Sequence, residues 1–397
     1  MSRITPPKYV VSVLQRLENC GYSAFLVGGC VRDIIMSRRP NDWDICTSAL
    51  PEEVTSCFPK TRPTGIKHGT VTVIEHGSSV EITTFRTDGE YTDHRRPENV
   101  RYISDLRGDL ERRDFTINAM AMPLTGIIFD PFGGRDDIQN RLIRCVGDPD
   151  KRFNEDALRM LRALRFSAVL GFDIDSATLA AIRKNANLAV NLAKERIRVE
   201  LEKILLSASP QVLSDVIEYG LLGEIVSLKT TVPDLAKLKT LPKYRVLRWA
   251  GFCSLLLKGG IISSAEEFLL ALRLDSATIR SCSVGCELVK VNSPVDRLEW
   301  KRLLSKNGTD ISKCAAASAD LMYGTGHLKL LNSVINGGEC YSLNQLPVSG
   351  DDISALGFHG AEIGNVLNTL LSHVLEFPTD NEKALLLDMA EKIKSSN

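Results

Sequence analysis

Asp42 and Asp44, separated by a single residue, have a spacing that can support chemistry. Side chains alternate along a β-strand, so both carboxylates project from one face while Trp43 points to the other. Neighbouring carboxylates repel each other unless a cation neutralises them, and oxygen ligands suit a divalent metal. The pair therefore predicts a metal site. For this spacing alone, two solvated aspartates at the end of a strand are the commoner explanation.

Gly28 and Gly29 precede this pair and follow a short hydrophobic stretch that predicts a strand. Glycine lets the backbone approach a ligand closely, and we expect a helix from Val31 whose first N–H groups suit phosphate. A metal pair beside a phosphate cradle indicates phosphoryl or nucleotidyl transfer. In that chemistry two ions activate the attacking hydroxyl and stabilise the leaving pyrophosphate.

Composition limits the kind of protein. With 397 residues, 44% of them hydrophobic and 25% charged, the chain suits a globular protein of several domains. Lysine and arginine together number 49, as do aspartate and glutamate, so RNA contacts must come from local basic patches. The first residues show no long apolar core and no small-residue cleavage site, and no apolar run of about 18 residues follows, so we expect a cytoplasmic protein. The ten cysteines lack zinc-site spacing and suit buried thiols.

Hydrophobic periodicity predicts an α+β fold. Strand patterns occur before Asp148, including a hairpin around residues 76–78, and helical periods dominate from there to the end. We therefore predict an N-terminal mixed sheet of about five strands followed by helices, with a boundary near residue 147. Further expectations are single helices over 112–120 and 155–166, and strands near 127–129 and 142–146 that close the sheet.

The motif GGCVRD, followed by DWD, resembles the first motif of the polymerase-beta-type nucleotidyltransferases. Within them it is similar to the branch that holds bacterial tRNA nucleotidyltransferases and poly(A) polymerases. The match continues in chain order through ERRDFTINAMAM, DPFGGRDDI, EDALRMLRALRF and ERIRVELEKIL, as far as about Leu205. This resemblance implies that Asp42 and Asp44 are catalytic residues that hold two Mg²⁺ ions.

The resemblance also implies the residues that bind the nucleotide. Gly29, Arg32 and Arg113 are expected to hold the triphosphate, because a planar guanidinium donates to phosphate in pairs. Without the resemblance, Arg113 would be taken for one half of a surface ion pair. In the family, the Asp and the first Arg of the E-D-x-x-R motif form a protein template for the incoming base. Here these residues are Asp156 and Arg159.

The Watson–Crick edge explains which bases such a template accepts. Cytosine and adenine present an amino donor beside a ring-nitrogen acceptor, whereas guanine and uracil present a carbonyl beside an N–H. Asp156 would accept from the amino group and Arg159 would donate to the ring nitrogen, so CTP and ATP are accepted. Arg162 and Arg165, one and two turns further on, are expected to hold phosphates or to brace this pair. By sequence pattern alone, this stretch is typical of an amphipathic helix with a solvated charged face.

Glu81 is a weaker candidate for a third catalytic carboxylate. It points away from Val80 and Ile82 in the predicted hairpin, and members of the superfamily often have a carboxylate there. An outward-facing glutamate on an edge strand explains the position equally well.

The implied reaction is template-independent addition of C, C and A to the 3′ end of tRNA, with CTP and ATP as substrates. The expected partner is the tRNA 3′ end with its acceptor arm. The expected domains are a catalytic head (1–147), a base-recognition neck (148–210), a helical body (211–290) and a tRNA-binding helical tail (291–397). The loop 87–105 resembles the flexible loop of complete CCA enzymes, which implies addition of the terminal A.

Three alternatives share these motifs. A poly(A) polymerase of the same branch differs little in its core, although such enzymes tend to end in a basic extension that is not found after EKIKSSN. Specialised CC-adding and A-adding enzymes are not separated from a complete enzyme by the motifs. An inactive RNA-binding relative would be expected to lack Asp42 or Asp44, and both are present. The oligomeric state stays open.

Overall fold

The chain consists of two compact units. The computed structural model describes residues 4–66, 69–88, 100–226, 231–291, 294, 296–324 and 326–396. Unit 1 comprises residues 1–228 and unit 2 residues 229–397. Most of the loop from which we expect terminal A addition, residues 89–99, lies outside the described residues. The finer division into head, neck, body and tail stays a prediction.

Unit 1 contains all the strands found in the described residues. In chain order they are β1 (Ala24–Val27), β2 (Asp44–Thr47), β3 (Thr61–Gly65), β4 (Thr70–Glu75), β5 (Ser78–Thr84), β6 (Arg86–Asp88), β7 (Val100–Tyr102), β8 (Ala121–Met122), β9 (Leu142–Ile143) and β10 (Asp173–Ile174). Six of them form one sheet in the order β3-β4-β5-β2-β1-β8. In this sheet β2 and β5 run parallel, and the other neighbours are antiparallel. The predicted mixed sheet is confirmed, with one strand more than expected.

Helices pack around this sheet and continue beyond it. Those of unit 1 are α1 (Lys8–Asn19), α2 (Gly29–Ile35), α3 (Pro51–Cys57), α4 (Leu106–Glu111), α5 (Gly134–Gln139), α6 (Pro149–Glu155), α7 (Leu158–Leu170), α8 (Ser176–Asn185), α9 (Lys194–Leu205) and α10 (Leu213–Glu218). From α6 onward only β10 interrupts the helices of the described chain. The predicted change from a mixed sheet to a helical protein is therefore confirmed.

The β4–β5 hairpin shows why its sequence specifies this fold. Val71, Val73, Val80 and Ile82 alternate along the two strands and are buried on one face. His76 and the following glycine have φ values of 48° and 78°, the left-handed conformations of a tight two-residue turn. The hairpin expected from this alternation is confirmed.

The helix expected over residues 112–120 is wrong. Helix α4 ends at Glu111, and a single 3₁₀ turn, Thr116–Asn118, follows an extended residue. The carboxylate of Asp114 accepts the N–H of Phe115 at 2.9 Å, a local bond that competes with helical hydrogen bonding. Ile117, in this turn, is nevertheless fully buried.

The single helix expected over 155–166 is also wrong, since it breaks at Asp156. That residue is extended (φ −139°, ψ 102°) and separates α6 from α7. Its carboxylate accepts the N–H of Leu158 at 3.1 Å, the role that aspartate commonly plays at the start of a helix. The break moves Asp156 off the helix that carries the arginines.

The strands expected to close the sheet were misplaced. β8 is the edge strand, and Phe129 forms only an isolated bridge to Ala121 of that strand. β9 pairs in parallel with β10 instead of joining the six-stranded sheet. Pairing between segments so far apart in the chain leaves no local sequence pattern.

Helices are the main elements of unit 2, and its described residues contain no strand. Its helices are α11 (Arg245–Lys258), α12 (Ala265–Ala271), α13 (Ser276–Val291), α14 (Arg297–Tyr323), α15 (His327–Asn336), α16 (Gly350–Ala355), α17 (Ala361–Glu376) and α18 (Lys383–Ser396). α14 is interrupted at Gly308, whose φ of 77° is not helical. No helix in the described part of the chain combines the length and the hydrophobicity that crossing a membrane requires.

Candidate active site

Asp44 is the first residue of β2, and Asp42 lies just before that strand. Both residues are exposed, whereas Trp43 and Ile45 are buried, so the two aspartates share a face as the alternation predicted. β5 lies parallel to β2 and places Glu81 opposite Asp44. The structure thus brings the two predicted aspartates and the weaker candidate Glu81 together where β2 begins, on the two central strands of the sheet.

The charges around Asp44 act in opposite directions. Although the residue is exposed as a whole, surrounding atoms remove enough water from its carboxyl group to raise its pKa above the ordinary value. Arg113 opposes this rise in pKa, and the negative charges of Glu81 and Asp42 add to it. Asp44 therefore lies in a field of clustered carboxylates with one cation close by.

This donor set fits a divalent metal. Within the described residues, no three His, Cys, Asp or Glu side chains form a ready-made metal centre. Mg²⁺ does not need one, because it commonly binds through one or two carboxylates, substrate phosphates and water. Asp42 and Asp44 are two carboxylates of this kind, both exposed to solvent at the start of β2.

Gly28 brings the backbone close to Arg113. It has a φ of 78°, and a β-carbon there would lie 3.2 Å from Nη1 of Arg113. Helix α2 begins directly afterwards, at Gly29, two residues earlier than the sequence indicated. The glycine pair therefore leaves room for an arginine side chain next to the backbone at the start of α2.

Arg32 and Arg113 are both held by acidic neighbours. Arg32 donates through Nε and Nη2 to Asp33, at 3.0 and 2.8 Å, and through Nη1 to the side-chain oxygen of Asn118 at 2.8 Å. Arg113 donates to Asp109 at 3.2 Å, and its buried Nε has no hydrogen-bond partner among the described residues. That N–H is a donor that a phosphate oxygen can satisfy.

Asp109 is fully buried and forms ion pairs with Arg112 and Arg113. Burial by itself would raise the pKa of Asp109, but Arg113 and Arg112 lower it below the ordinary value. The ionised carboxylate therefore persists in the interior and orients both guanidinium groups.

Asp156 and Arg159 are both bound to the protein. Asp156 accepts from Arg196 of α9, at 3.3 and 2.8 Å. Arg159 is 8% exposed and donates to Glu155 at 2.6 Å and to the carbonyl oxygen of Arg112 at 2.9 Å. Sequence reasoning missed Arg196, although this residue lies in the matching motif ERIRVELEKIL.

Arg162 and Arg165 of α7 form ion pairs with acids from other elements. Arg162 donates twice to Asp114, at 2.8 and 2.6 Å, and Arg165 lies 2.6 Å from Glu200 of α9. Burial by itself would raise the pKa of Asp114, but Arg162 and further neighbours lower it to about 2.

Asn118 is a second residue that sequence reasoning missed. Besides accepting from Arg32, it donates to Asp114 at 3.3 Å, and Asp114 in turn holds Arg162. A chain of polar contacts thus connects α2 with α7. The only sequence signal was a polar residue inside the apolar end of the motif ERRDFTINAMAM.

The fold and two family matches define the class of protein. Residues 24–144 match the family described as Poly A polymerase head domain. Residues 171–235 match the family described as Probable RNA and SrmB- binding site of polymerase A. A mixed sheet with this match, carrying a cluster of carboxylates where β2 begins, is the head of a nucleotidyltransferase.

Relatives and solved structures narrow this class. The chain is 38% identical over 391 residues to a CCA-adding enzyme of Geobacillus sp. (strain WCH70), and the match covers 95% of each chain. It also resembles the crystal structure of the Bacillus stearothermophilus CCA-adding enzyme in complex with CTP. That match has a TM-score of 0.79 and 32% identity, and covers 99% of this chain and 100% of the other. The chain belongs to the family of CCA-adding enzymes.

A more distant structure shares the fold. The Thermotoga maritima CCA-adding enzyme complexed with tRNA_CCA is 20% identical, with a TM-score of 0.69 over 99% of this chain and 97% of the other. At that identity the likeness concerns the fold alone.

Proposed function

We propose that this chain adds C, C and A to the 3′ end of tRNA from CTP and ATP. The observation that carries the proposal is the grouping of Asp42 and Asp44 with Arg113 at the start of β2, a central strand of the sheet. It occurs in a chain that matches a CCA-adding enzyme over 95% of its length. Carboxylates for a metal and an arginine for phosphate are what nucleotidyl transfer needs.

We assign Asp42 and Asp44 as the ligands of Mg²⁺. When bound, the metal would supply charge for activating the attacking 3′ hydroxyl and for stabilising the leaving pyrophosphate. Glu81, opposite Asp44 in the parallel register, is the candidate for a third carboxylate. Gly29, Arg32 and Arg113 bind the triphosphate in this proposal.

In this proposal, Asp156 and Arg159 select the base. A carboxylate can accept about four hydrogen bonds, and the described contacts of Asp156 use three. It therefore keeps acceptor capacity for the amino group of cytosine or adenine, while Arg159 donates to the ring nitrogen. In this proposal Arg162 and Arg165 brace α7 and add positive charge near the phosphates.

The proposed partner is the tRNA 3′ end with its acceptor arm, and the compartment that contains tRNA and both nucleotides is the cytoplasm. In the proposed division of labour, residues 1–147 catalyse, 148–210 read the base, and 211–290 form a body. Residues 291–397 bind tRNA. Poly(A) polymerase is the second candidate, favoured by the family to which the head matches.

The direct test offers the purified protein a tRNA that lacks its terminal CCA. We expect CTP alone to extend it by two residues, ATP alone to give no correct extension, and the two together to restore CCA. Sequencing of the product ends measures this. Extension by a single kind of nucleotide only would point to a specialised enzyme, and no extension would refute the proposal.

The same assay tests the metal ligands. Asp42→Ala and Asp44→Ala should abolish addition while leaving tRNA binding nearly unchanged, because the metal serves the chemical step. Asp136→Ala, at an exposed aspartate of α5, is the matched control and should keep full activity. Substantial activity in both variants at Asp42 and Asp44 would disprove the metal assignment.

A further inference from the structure

Three arginines surround the ring of Phe166. Their Cζ atoms lie 5.4 Å (Arg32), 5.5 Å (Arg162) and 3.8 Å (Arg165) from the ring centroid. Arg32 comes from α2, whereas the other two belong to α7. A guanidinium within about 6 Å of an aromatic centroid is attracted by the negative charge of the ring face. One aromatic ring therefore contacts cations from two elements.

The ring lies in a dry environment, where this attraction is stronger. Phe166 is 6% exposed, and the ring of the fully buried Phe115 is nearly perpendicular to it, at an angle of 80°, with centroids 5.6 Å apart. Both rings are apolar, so the guanidinium groups that contact Phe166 do so where little water screens their charge.

Such a cluster of cations opposes its own assembly. Burial lowers the pKa of Arg165, Glu200 opposes this shift, and the charges of Arg162 and Arg32 add to it. The guanidinium groups therefore repel each other. The acids beside them offset part of the repulsion, and the ring offers attraction without adding a hydrogen-bond acceptor that would compete with phosphate.

We propose that Phe166 is a positioning residue of the nucleotide site: its ring holds the guanidinium groups of Arg32, Arg162 and Arg165 together at the place where the triphosphate binds. This inference rests on the proposed function of the site. Phe166 itself does not touch the nucleotide. It acts through the arginines, so its effect concerns the binding of both nucleotides rather than the choice between bases.

A graded test separates the charge of the ring from its volume. Phenylalanine at position 166 is replaced by analogues with one, two and three ring fluorines, which withdraw electrons from the face while nearly preserving shape. We expect the KM for CTP and ATP to rise stepwise with fluorination, and Phe166→Leu to raise both by about tenfold, with kcat changed less than about threefold. The ratio of incorporation efficiencies for CTP against UTP should stay at the wild-type value.

Phe172→Leu is the matched control. Phe172 is buried in unit 1 and also lies under an arginine, Arg141, at 5.9 Å, but it is not part of the proposed site. The Phe172→Leu variant should have a lower melting temperature and unchanged KM values for CTP and ATP.

Two readouts distinguish the possible failures. Incorporation by the wild type tests the proposed function, and calorimetric binding of CTP without tRNA tests the role of Phe166 independently. The inference is wrong if the affinity for CTP and the KM values do not change across the fluorinated series. It is also wrong if Phe166→Leu changes only the melting temperature, because Phe166 then merely fills space. If the wild type binds CTP but never extends tRNA, the proposed function fails instead.

Discussion

Each arginine assigned to nucleotide binding is paired with an acid of the same unit. The pairs are Arg32–Asp33, Arg113–Asp109, Arg159–Glu155, Arg162–Asp114 and Arg165–Glu200. A buried carboxylate adds little net stability to such a pair, but it orients the guanidinium. The site therefore presents directed N–H groups instead of a large positive charge.

Asp156→Ala tests base selection at the level of one residue. Removing the acceptor should weaken the binding of CTP and ATP by about 1 to 3 kcal/mol. The repulsion that excludes UTP and GTP should also fall. Arg159→Ile should weaken the binding of CTP and ATP, because it removes the group that donates to the ring nitrogen of the base. The measurement is the incorporation efficiency of CTP against UTP, and of ATP against GTP, in each variant.

Arg183→Ala controls for the loss of a charged side chain. Arg183 stacks on Tyr219, 4.9 Å from its ring, outside the motif, and its removal should leave both ratios unchanged. If Asp156→Ala and Arg159→Ile lower activity while the ratios keep their wild-type values, these residues position the triphosphate or stabilise α7. Base selection would then lie elsewhere.

At the scale of elements, the turn after α4 is bound to α7 through Asp114. This carboxylate accepts from Arg162, from Asn118 and from the N–H of Phe115. The backbone carbonyl oxygen of Asp114 accepts the N–H of Val146 at 3.1 Å. Asp114 thus connects the turn between α4 and β8 with α7, the helix that carries three arginines.

We predict that Asp114 makes the stability of unit 1 depend on acid pH. Its pKa is about 2 in the folded protein, below the ordinary value of 3.8. A carboxyl group with a lowered folded pKa stabilises the fold above its unfolded pKa and loses that contribution as the pH falls toward the folded pKa. Asp114→Asn should lower the unfolding free energy by about 2 kcal/mol at pH 6.

The difference between wild type and Asp114→Asn should shrink as the pH falls from about 4 to about 2. Urea unfolding at several pH values measures it, and Asp136→Asn, at an exposed position, controls for the substitution itself. A difference that stays constant over this range would show that the stabilisation does not come from the ionised carboxylate.

The sequence predicted features that depend on near neighbours. Alternation placed Asp42 and Asp44 on one face, and the β4–β5 hairpin followed from its apolar pattern. It did not predict the contacts of Asp114, because Arg162 lies 48 positions further on. The break at Asp156 was missed for a related reason. The composition there favours a helix, and only its local hydrogen bond and its contact with Arg196 reveal the interruption.

At the scale of the whole molecule, all the proposed catalytic and nucleotide-binding residues lie in unit 1. Unit 2, whose described residues form helices and loops, contains none of them. The zero net charge means that attraction by bulk positive charge cannot hold a long polyanion. This suits an enzyme that adds a few nucleotides and then releases its product.

The most direct test of this role offers ATP alone to three primers: a tRNA ending in CC, a complete tRNA ending in CCA, and an oligoadenylate. A poly(A) polymerase must accept its own product repeatedly, whereas a CCA-adding enzyme must reject a finished end. We predict one AMP on the first primer and none on the other two, measured by single-nucleotide gel resolution and end sequencing. Long adenylate tracts on the oligoadenylate would contradict CCA addition and identify the chain as a poly(A) polymerase.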